Sequence, residues 1–180
     1  MKIYYDFETT NRNPYIADIL ESCFIIKKKD EEIIINDKIK LKAYDYYLDK
    51  SALEFNKIYN IEDYNRHQAQ AVELKEHLNK LLKYVKDTPD LIGWNSSRYD
   101  DIILQRAFIQ IGVKIKLQTS FNLIDLKSKF NYLKTKNRWK YFTLEMAYNT
   151  FYKKKLNFHT AKDDVIAITE LDRDFYTTKE

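Results

Sequence analysis

The sequence predicts an α/β fold: a mixed five-stranded sheet, three antiparallel strands followed by parallel strands, flanked by helices. Two observations carry this. About the first forty residues read as three strands in succession, and beyond residue 66 helical and strand-like segments alternate. A third observation sets the scale. The 180 residues are 44% hydrophobic and 32% charged, the balance of one globular domain spanning residues 1–180.

The strands come first. Lys2 to Glu8 (KIYYDFE), Ala17 to Lys28 (ADILESCFIIKK) and Glu32 to Leu41 (EIIINDKIKL) are rich in β-branched and aromatic residues. Asn11-Arg12-Asn13-Pro14 and Asn36-Asp37 supply turn chemistry. From Arg66 to Lys86, apolar residues recur at spacings of three and four, which predicts one long helix. Asp90 to Trp94 is a short buried strand, and Asp100 to Ile111 an amphipathic helix. Phe121 to Leu126 (FNLIDL) is the last strand, followed by helices over Leu144 to Tyr152 and Ala161 to Phe175. No internal repeat, low-complexity tract or Pro/Gly/Ser linker interrupts this order.

Composition excludes several kinds of chemistry. The only glycines, Gly93 and Gly112, lie nineteen positions apart. A dinucleotide-binding G-x-G-x-x-G loop, a P-loop and a G-x-S-x-G nucleophile elbow each need closely spaced glycines, so none can be built. Cys23 is the single cysteine, which rules out a disulfide framework and a multi-cysteine zinc site. The net charge of +4 permits a polyanionic partner without demanding one. No apolar run approaches the roughly 20 residues that span a bilayer, and the N-terminus runs straight into an acidic strand rather than a signal peptide. The expectation is a cytoplasmic protein with no membrane association.

The carboxylates are the unusual feature. On the first strand Ile3, Tyr5 and Phe7 face one way and Tyr4, Asp6 and Glu8 the other, so Asp6 and Glu8 are neighbours about 7 Å apart along the strand. Like charges on a central strand repel, and a divalent cation between them removes the penalty. A D-x-E pair also suits a plain strand edge, and the strand alone leaves both readings open. On the last helix Asp164 falls within the apolar stripe Ala161, Val165, Ile168, Leu171 and Phe175, whereas Asp163 projects outward with Ala167, Glu170 and Asp174. Asp100 precedes Ile103 and Leu104 in the same way, and periodicity does not separate it from Asp101. Four acids converging would form a two-metal site of the kind that clamps a phosphodiester.

Taken together, Asp6-Phe7-Glu8-Thr9-Thr10, Gly93-Trp94-Asn95 with Tyr99-Asp100, and His159-x-Ala161-x-x-Asp164 resemble, in order, the three motifs of the DEDDh group of DnaQ-like 3'→5' exonucleases, in the ribonuclease H-like superfamily. The resemblance covers nearly the whole chain, and it selects Asp100 over Asp101 because Asp100 follows the aromatic of its motif. Motif two looks closer to the proofreading domains of family B polymerases, while motif three has the histidine form. The resemblance implies that Asp6, Glu8 and Asp164 bind one metal ion, that Asp6 also reaches a second, and that Asp100 holds that second ion. It implies Mg²⁺ or Mn²⁺, two ions, because the ligands are all oxygen. It makes His159 the general base for an attacking water, with release of nucleoside 5'-monophosphates. Thr9 and Thr10 would hold the terminal nucleotide, and Asn95 completes the nucleotide-binding set. The substrate would be the 3' end of single-stranded DNA or RNA, DNA slightly favoured. An exoribonuclease similar to RNase T or oligoribonuclease, and an inactive nucleic-acid-binding module on the same fold, are the alternatives.

From Lys127 to Leu144 there is no acid, and Arg138, Trp139 and Lys140 lie in a run that alternates cations with aromatics, as single-strand binding requires. A solvated lysine face reads the same way. Gln118 to Leu123 (QTSFNL) resembles a sliding-clamp-binding peptide but runs into a predicted core strand, which argues against a clamp or polymerase partner. RNase T and oligoribonuclease are dimers, so the resemblance allows a homodimer. No segment of the sequence marks a dimer contact.

Overall fold

The structure, a computed structural model, describes residues 1–41 and 49–177, with side chains of the last helix described through Asp174. The strands β1 (Lys2–Thr9), β2 (Ile19–Lys27), β3 (Glu32–Lys38), β4 (Asp90–Gly93) and β5 (Asn122–Asp125) form one sheet in the order β3-β2-β1-β4-β5. The first three are antiparallel, and β4 and β5 run parallel to β1. The helices are α1 (Lys50–Phe55), α2 (Ile61–Gln70), α3 (Leu74–Leu82), α4 (Asp100–Gln110), α5 (Leu117–Ser120), α6 (Leu126–Lys136), α7 (Leu144–Phe151) and α8 (Ala161–Thr177).

The alternation of β1 builds both sides of the sheet. Ile3, Tyr5 and Phe7 pack with Leu78 and Leu81 of α3 and with Ile103, Leu104 and Phe108 of α4. Tyr4 packs on the other face with residues of α6, α7 and α8. The predicted stripe of α8 is confirmed through Leu171, since Ala161, Val165 and Ile168 are fully buried; Phe175 lies outside the described side chains. No described helix is long and apolar enough to cross a membrane.

Four sequence expectations are corrected. The single helix over Arg66 to Lys86 is two helices. Between them Val72 hydrogen-bonds at the edge of the sheet, its N–H donating to Lys38 O and its carbonyl accepting from Lys40 N, both at 2.9 Å. The open backbone groups of an edge strand outcompete helix continuation there. Asn36 and Asp37 stay in the β3 ladder opposite Cys23 and Ser22 rather than turning. Lys127 to Lys136, read as part of a run of alternating cations and aromatics with no helix assigned, is most of α6. Ala167, expected to face solvent, is fully buried, because α8 is covered over more than one stripe.

One buried acid was not anticipated. Asp172 of α8 is wholly buried and accepts from Lys2 Nζ at 2.7 Å, Tyr4 Oη at 3.0 Å and Lys129 Nζ at 3.5 Å. A buried carboxylate persists only with such partners, and these tie α8 and α6 to the first strand.

Candidate active site

The parallel pairing of β1, β4 and β5 brings their carboxyl ends to one edge, the place where open α/β sheets gather ligand groups. Glu8 and Thr9 end β1, Asn95 follows β4 and Asp125 ends β5. Asp164, in the first turn of α8, reaches the same face of β1.

Three of the acids meet. One carboxylate oxygen from each of Asp6, Glu8 and Asp164 lies within 4.8 Å of the others. Burial, and then the charges of Asp164 and Glu21, push the Glu8 carboxyl up to about 8. Burial likewise raises Asp164 to about 7, against the hydrogen bond that it accepts from the His159 backbone N–H. Burial raises Asp6 well above the carboxylate range, with Asp100, Asp164 and Glu8 adding repulsion. Asp100 is buried at the start of α4 and is raised in the same way, by burial first and Asp101 second.

Asp164 Oδ1 is buried and has no hydrogen-bond partner among the described residues. An orphaned carboxylate oxygen beside two more carboxylates fits a divalent cation, which would supply the missing interaction and cancel the repulsion. Cys23, opposite Asp6 in the ladder, does not change the donor set. Burial, with Asp6 adding, pushes its thiol up to about 12, so it stays protonated. The set is all oxygen, which suits a hard cation of the Mg²⁺ or Mn²⁺ class.

His159 precedes α8 with φ at +71° and an exposed side chain. Its ring meets Phe55 of α1 edge-on, 4.5 Å between centroids at 67°. His159 opens into a cavity of about 250 Å³ whose lining includes Glu21, Lys38, Phe55, Asn56 and Thr160. A second cavity of about 280 Å³ shares Phe55 and Asn56 with the first and is lined also by Glu8, Thr9, Asn11 and Tyr99.

The nucleotide-binding candidates are placed less uniformly. Thr9 faces the second cavity, its Oγ1 2.6 Å from Tyr99 Oη. Thr10 is buried, and its hydroxyl accepts the Asp18 N–H at 2.9 Å. Asn95 adopts a left-handed conformation, φ +58°, and its side chain accepts from Lys127 Nζ at 3.3 Å. Arg138, Trp139 and Lys140 form the loop between α6 and α7. There Trp139 is half-buried and stacks on the core residue Phe142 at 5.8 Å, leaving Arg138, Lys140 and Tyr141 exposed. Phe121 of the clamp-like segment is in the core.

Sequence reading missed Glu21, Phe55 and Asp125, and used Tyr99 only as the aromatic of its motif. Glu21 and Asp125 carried a signal, each being an acid inside an otherwise apolar strand segment. Glu21 stands directly opposite Glu8 in the antiparallel ladder, a pairing that only the register reveals.

No protein-family model and no curated protein sequence matches this chain. Solved structures do. An exonuclease I structure superposes with a TM-score of 0.78 at 17% identity, over 97% of this chain and 40% of that one. E. coli exonuclease I in complex with a dT13 oligonucleotide gives 0.75 at 16%, with coverages of 97% and 40%. The fold is shared with part of exonuclease I. Exonuclease I from Methylocaldum szegediense agrees, with a TM-score of 0.74 at 14% identity over 96% and 40%. The five-stranded mixed sheet with its flanking helices is therefore ribonuclease H-like, as the sequence predicts. The chain spans about 40% of the length of the exonuclease I chains that it matches.

Proposed function

We propose that this chain is a metal-dependent 3'→5' exonuclease of the DEDDh type that acts on single-stranded nucleic acid, with DNA favoured over RNA. The observation that carries the reading is the trio Asp6, Glu8 and Asp164 within 4.8 Å, with Asp164 Oδ1 buried and unpartnered. The preference for DNA is supported by fold neighbours solved with dT13 and dA16 oligonucleotides and by the likeness of motif two to polymerase proofreading domains. A zinc-bound complex of E. coli exonuclease I with single-stranded DNA shares the fold, in keeping with a metal-dependent reading.

Asp6, Glu8 and Asp164 would hold one Mg²⁺ or Mn²⁺, with Asp100 and Asp6 at a second, and the pair would neutralise the phosphate and acidify the attacking water. The chain's own groups do the rest. Thr9 and Tyr99 line the cavity that receives the terminal nucleotide, and Phe55 and Asn56 line both this cavity and the one that His159 opens into. His159 takes a proton from the water as the water oxygen bonds to phosphorus. The bond from phosphorus to O3' breaks, O3' takes a proton from solvent as it leaves, and a nucleoside 5'-monophosphate is released. His159 suits this role because it is exposed and its backbone N–H is anchored on Asp164.

The test is digestion of 5'-labelled single-stranded DNA and RNA of matched sequence with Mg²⁺, Mn²⁺ or EDTA, beside Asp6→Ala. A descending ladder is expected that needs metal, disappears in the variant and forms faster on DNA. Faster cleavage of RNA would move the assignment to an exoribonuclease. Binding without cleavage of either strand would overturn the enzyme reading in favour of a binding module.

A further inference from the structure

Asp125 lies outside all three motif segments, yet it joins two elements at the site. It ends β5 and caps α6. Its Oδ1 accepts the Asn95 N–H at 2.8 Å and the Lys127 N–H at 3.1 Å, and its Oδ2 accepts from Ser97 Oγ at 3.0 Å. Lys127 closes the ring by donating from Nζ to Asn95 Oδ1 at 3.3 Å.

The segment so held is the turn from β4 into α4. Asn95 is there in a left-handed conformation (φ +58°), which an asparagine adopts only at a cost that neighbouring bonds must offset. A 3-10 turn, Ser96–Arg98, follows, and then Tyr99 and Asp100. The position of Asp100 is therefore set by how this turn is anchored. Two of its residues are anchored on one carboxylate, and Gly93, which leads into it, pairs with Asp125 in the parallel ladder.

We infer that Asp125 is a positioning residue: its carboxylate clamps the Asn95–Ser97 turn and thereby fixes Asp100 relative to Asp6, Glu8 and Asp164. The inference rests on reading Asp100 as part of the ion-binding set. Groups that orient metal ligands typically change metal affinity by about 10–100-fold when removed. Asp125 acts through the turn that its side chain holds.

Two variants separate this role from plain stability. Asp125→Ser keeps a helix-capping hydroxyl for α6 but has one short oxygen, too few to hold both Asn95 and Ser97. Asp125→Asn keeps a carbonyl for the two N–H groups, and the Ser97 hydroxyl can turn to accept from the amide. Mn²⁺ binding is titrated calorimetrically on each protein, alongside melting and the Mn²⁺ dependence of cleavage. Asp125→Ser is expected to weaken Mn²⁺ binding about tenfold or more, with Asp125→Asn close to wild type. Unchanged Mn²⁺ binding in folded Asp125→Ser, or equal loss in both variants, would overturn the clamp. If the wild type binds Mn²⁺ but cuts nothing, the nuclease reading falls while the calorimetry still decides the role of Asp125.

Discussion

Asp164 shows what a single residue does at this site. One oxygen accepts the His159 N–H, and the other is buried without a partner beside Asp6 and Glu8. An unsatisfied buried oxygen costs about 1–3 kcal/mol, more when charged. Removing the charge should therefore help the metal-free fold and harm the loaded one. Asp164→Asn is expected to melt at or above the wild-type temperature in EDTA and to lose the rise that Mn²⁺ gives the wild type. A variant still stabilised by Mn²⁺ to the wild-type extent would refute the assignment of Asp164 as a ligand. His159 makes the opposite case, because its exposed ring touches only Phe55 among the described aromatic contacts. His159→Ala should lower kcat by about 10²–10⁴ while changing stability by no more than about 0.5 kcal/mol. An unaltered kcat would remove His159 from the chemistry.

The turn between β4 and α4 is packed too tightly to accept a side chain at Gly93. A methyl group on Gly93 would sit 2.5 Å from Ser96 Cβ and 3.1 Å from the Tyr5 ring. Gly93→Ala should therefore cost about 1–3 kcal/mol and shift Asp100 as the turn yields. Adding Ser96→Gly removes the nearest clash, so the double variant should recover part of the stability and activity. Equal stability of single and double variants would show that the turn yields elsewhere. The same element explains what could be read from the sequence. Periodicity placed all five strands, and the alternation of β1 put Asp6 and Glu8 on one face, because both are local properties of a strand. The inward carboxylate of α8 was legible for the same reason. The break at Val72 was not, because it depends on the distant edge of β3. Glu21 and Asp125 showed in the sequence only as acids within apolar strand segments: Glu21 gains its importance from register with Glu8, and Asp125 from hydrogen bonds to a turn some 30 positions away. The run after Lys127 left two readings open for a physical reason. Phe130 and Phe142 serve the core while the lysines between them face solvent, so one run carries two unrelated functions.

For the whole molecule, the acid cluster and a second buried network pull the dependence of stability on pH in opposite directions. His77 is fully buried between Asp37, which is 2.8 Å from its Nδ1, and Ser22, 2.8 Å from its Nε2. Burial holds the His77 ring below its ordinary 6.5, against the pull of Asp37. When pH falls below 6.5, the unfolded chain takes up a proton that the folded ring resists, so stability is lost toward acid. Glu8 behaves in the reverse sense. Its folded value of about 8 exceeds the ordinary 4.5, so across that interval the unfolded chain releases a proton that the folded one retains. Stability contributed by Glu8 is thus full below about pH 4.5 and is lost as pH rises toward 8. Asp164, Asp6 and Asp100 are raised as well and steepen the same limb. Four raised acids outnumber His77, so the stability of the metal-free protein should fall from about pH 5 toward pH 8. A bound divalent cation favours the ionised carboxylates, so Mn²⁺ should abolish the alkaline limb and move the optimum above about pH 7. Denaturant melts from pH 4.5 to 8.5 in EDTA and in Mn²⁺ measure both limbs, and Glu8→Gln should flatten the alkaline one in EDTA alone. Metal-free stability that stays level or rises between pH 6 and 8 would mean that the four carboxylates do not share the buried, mutually repelling site described above.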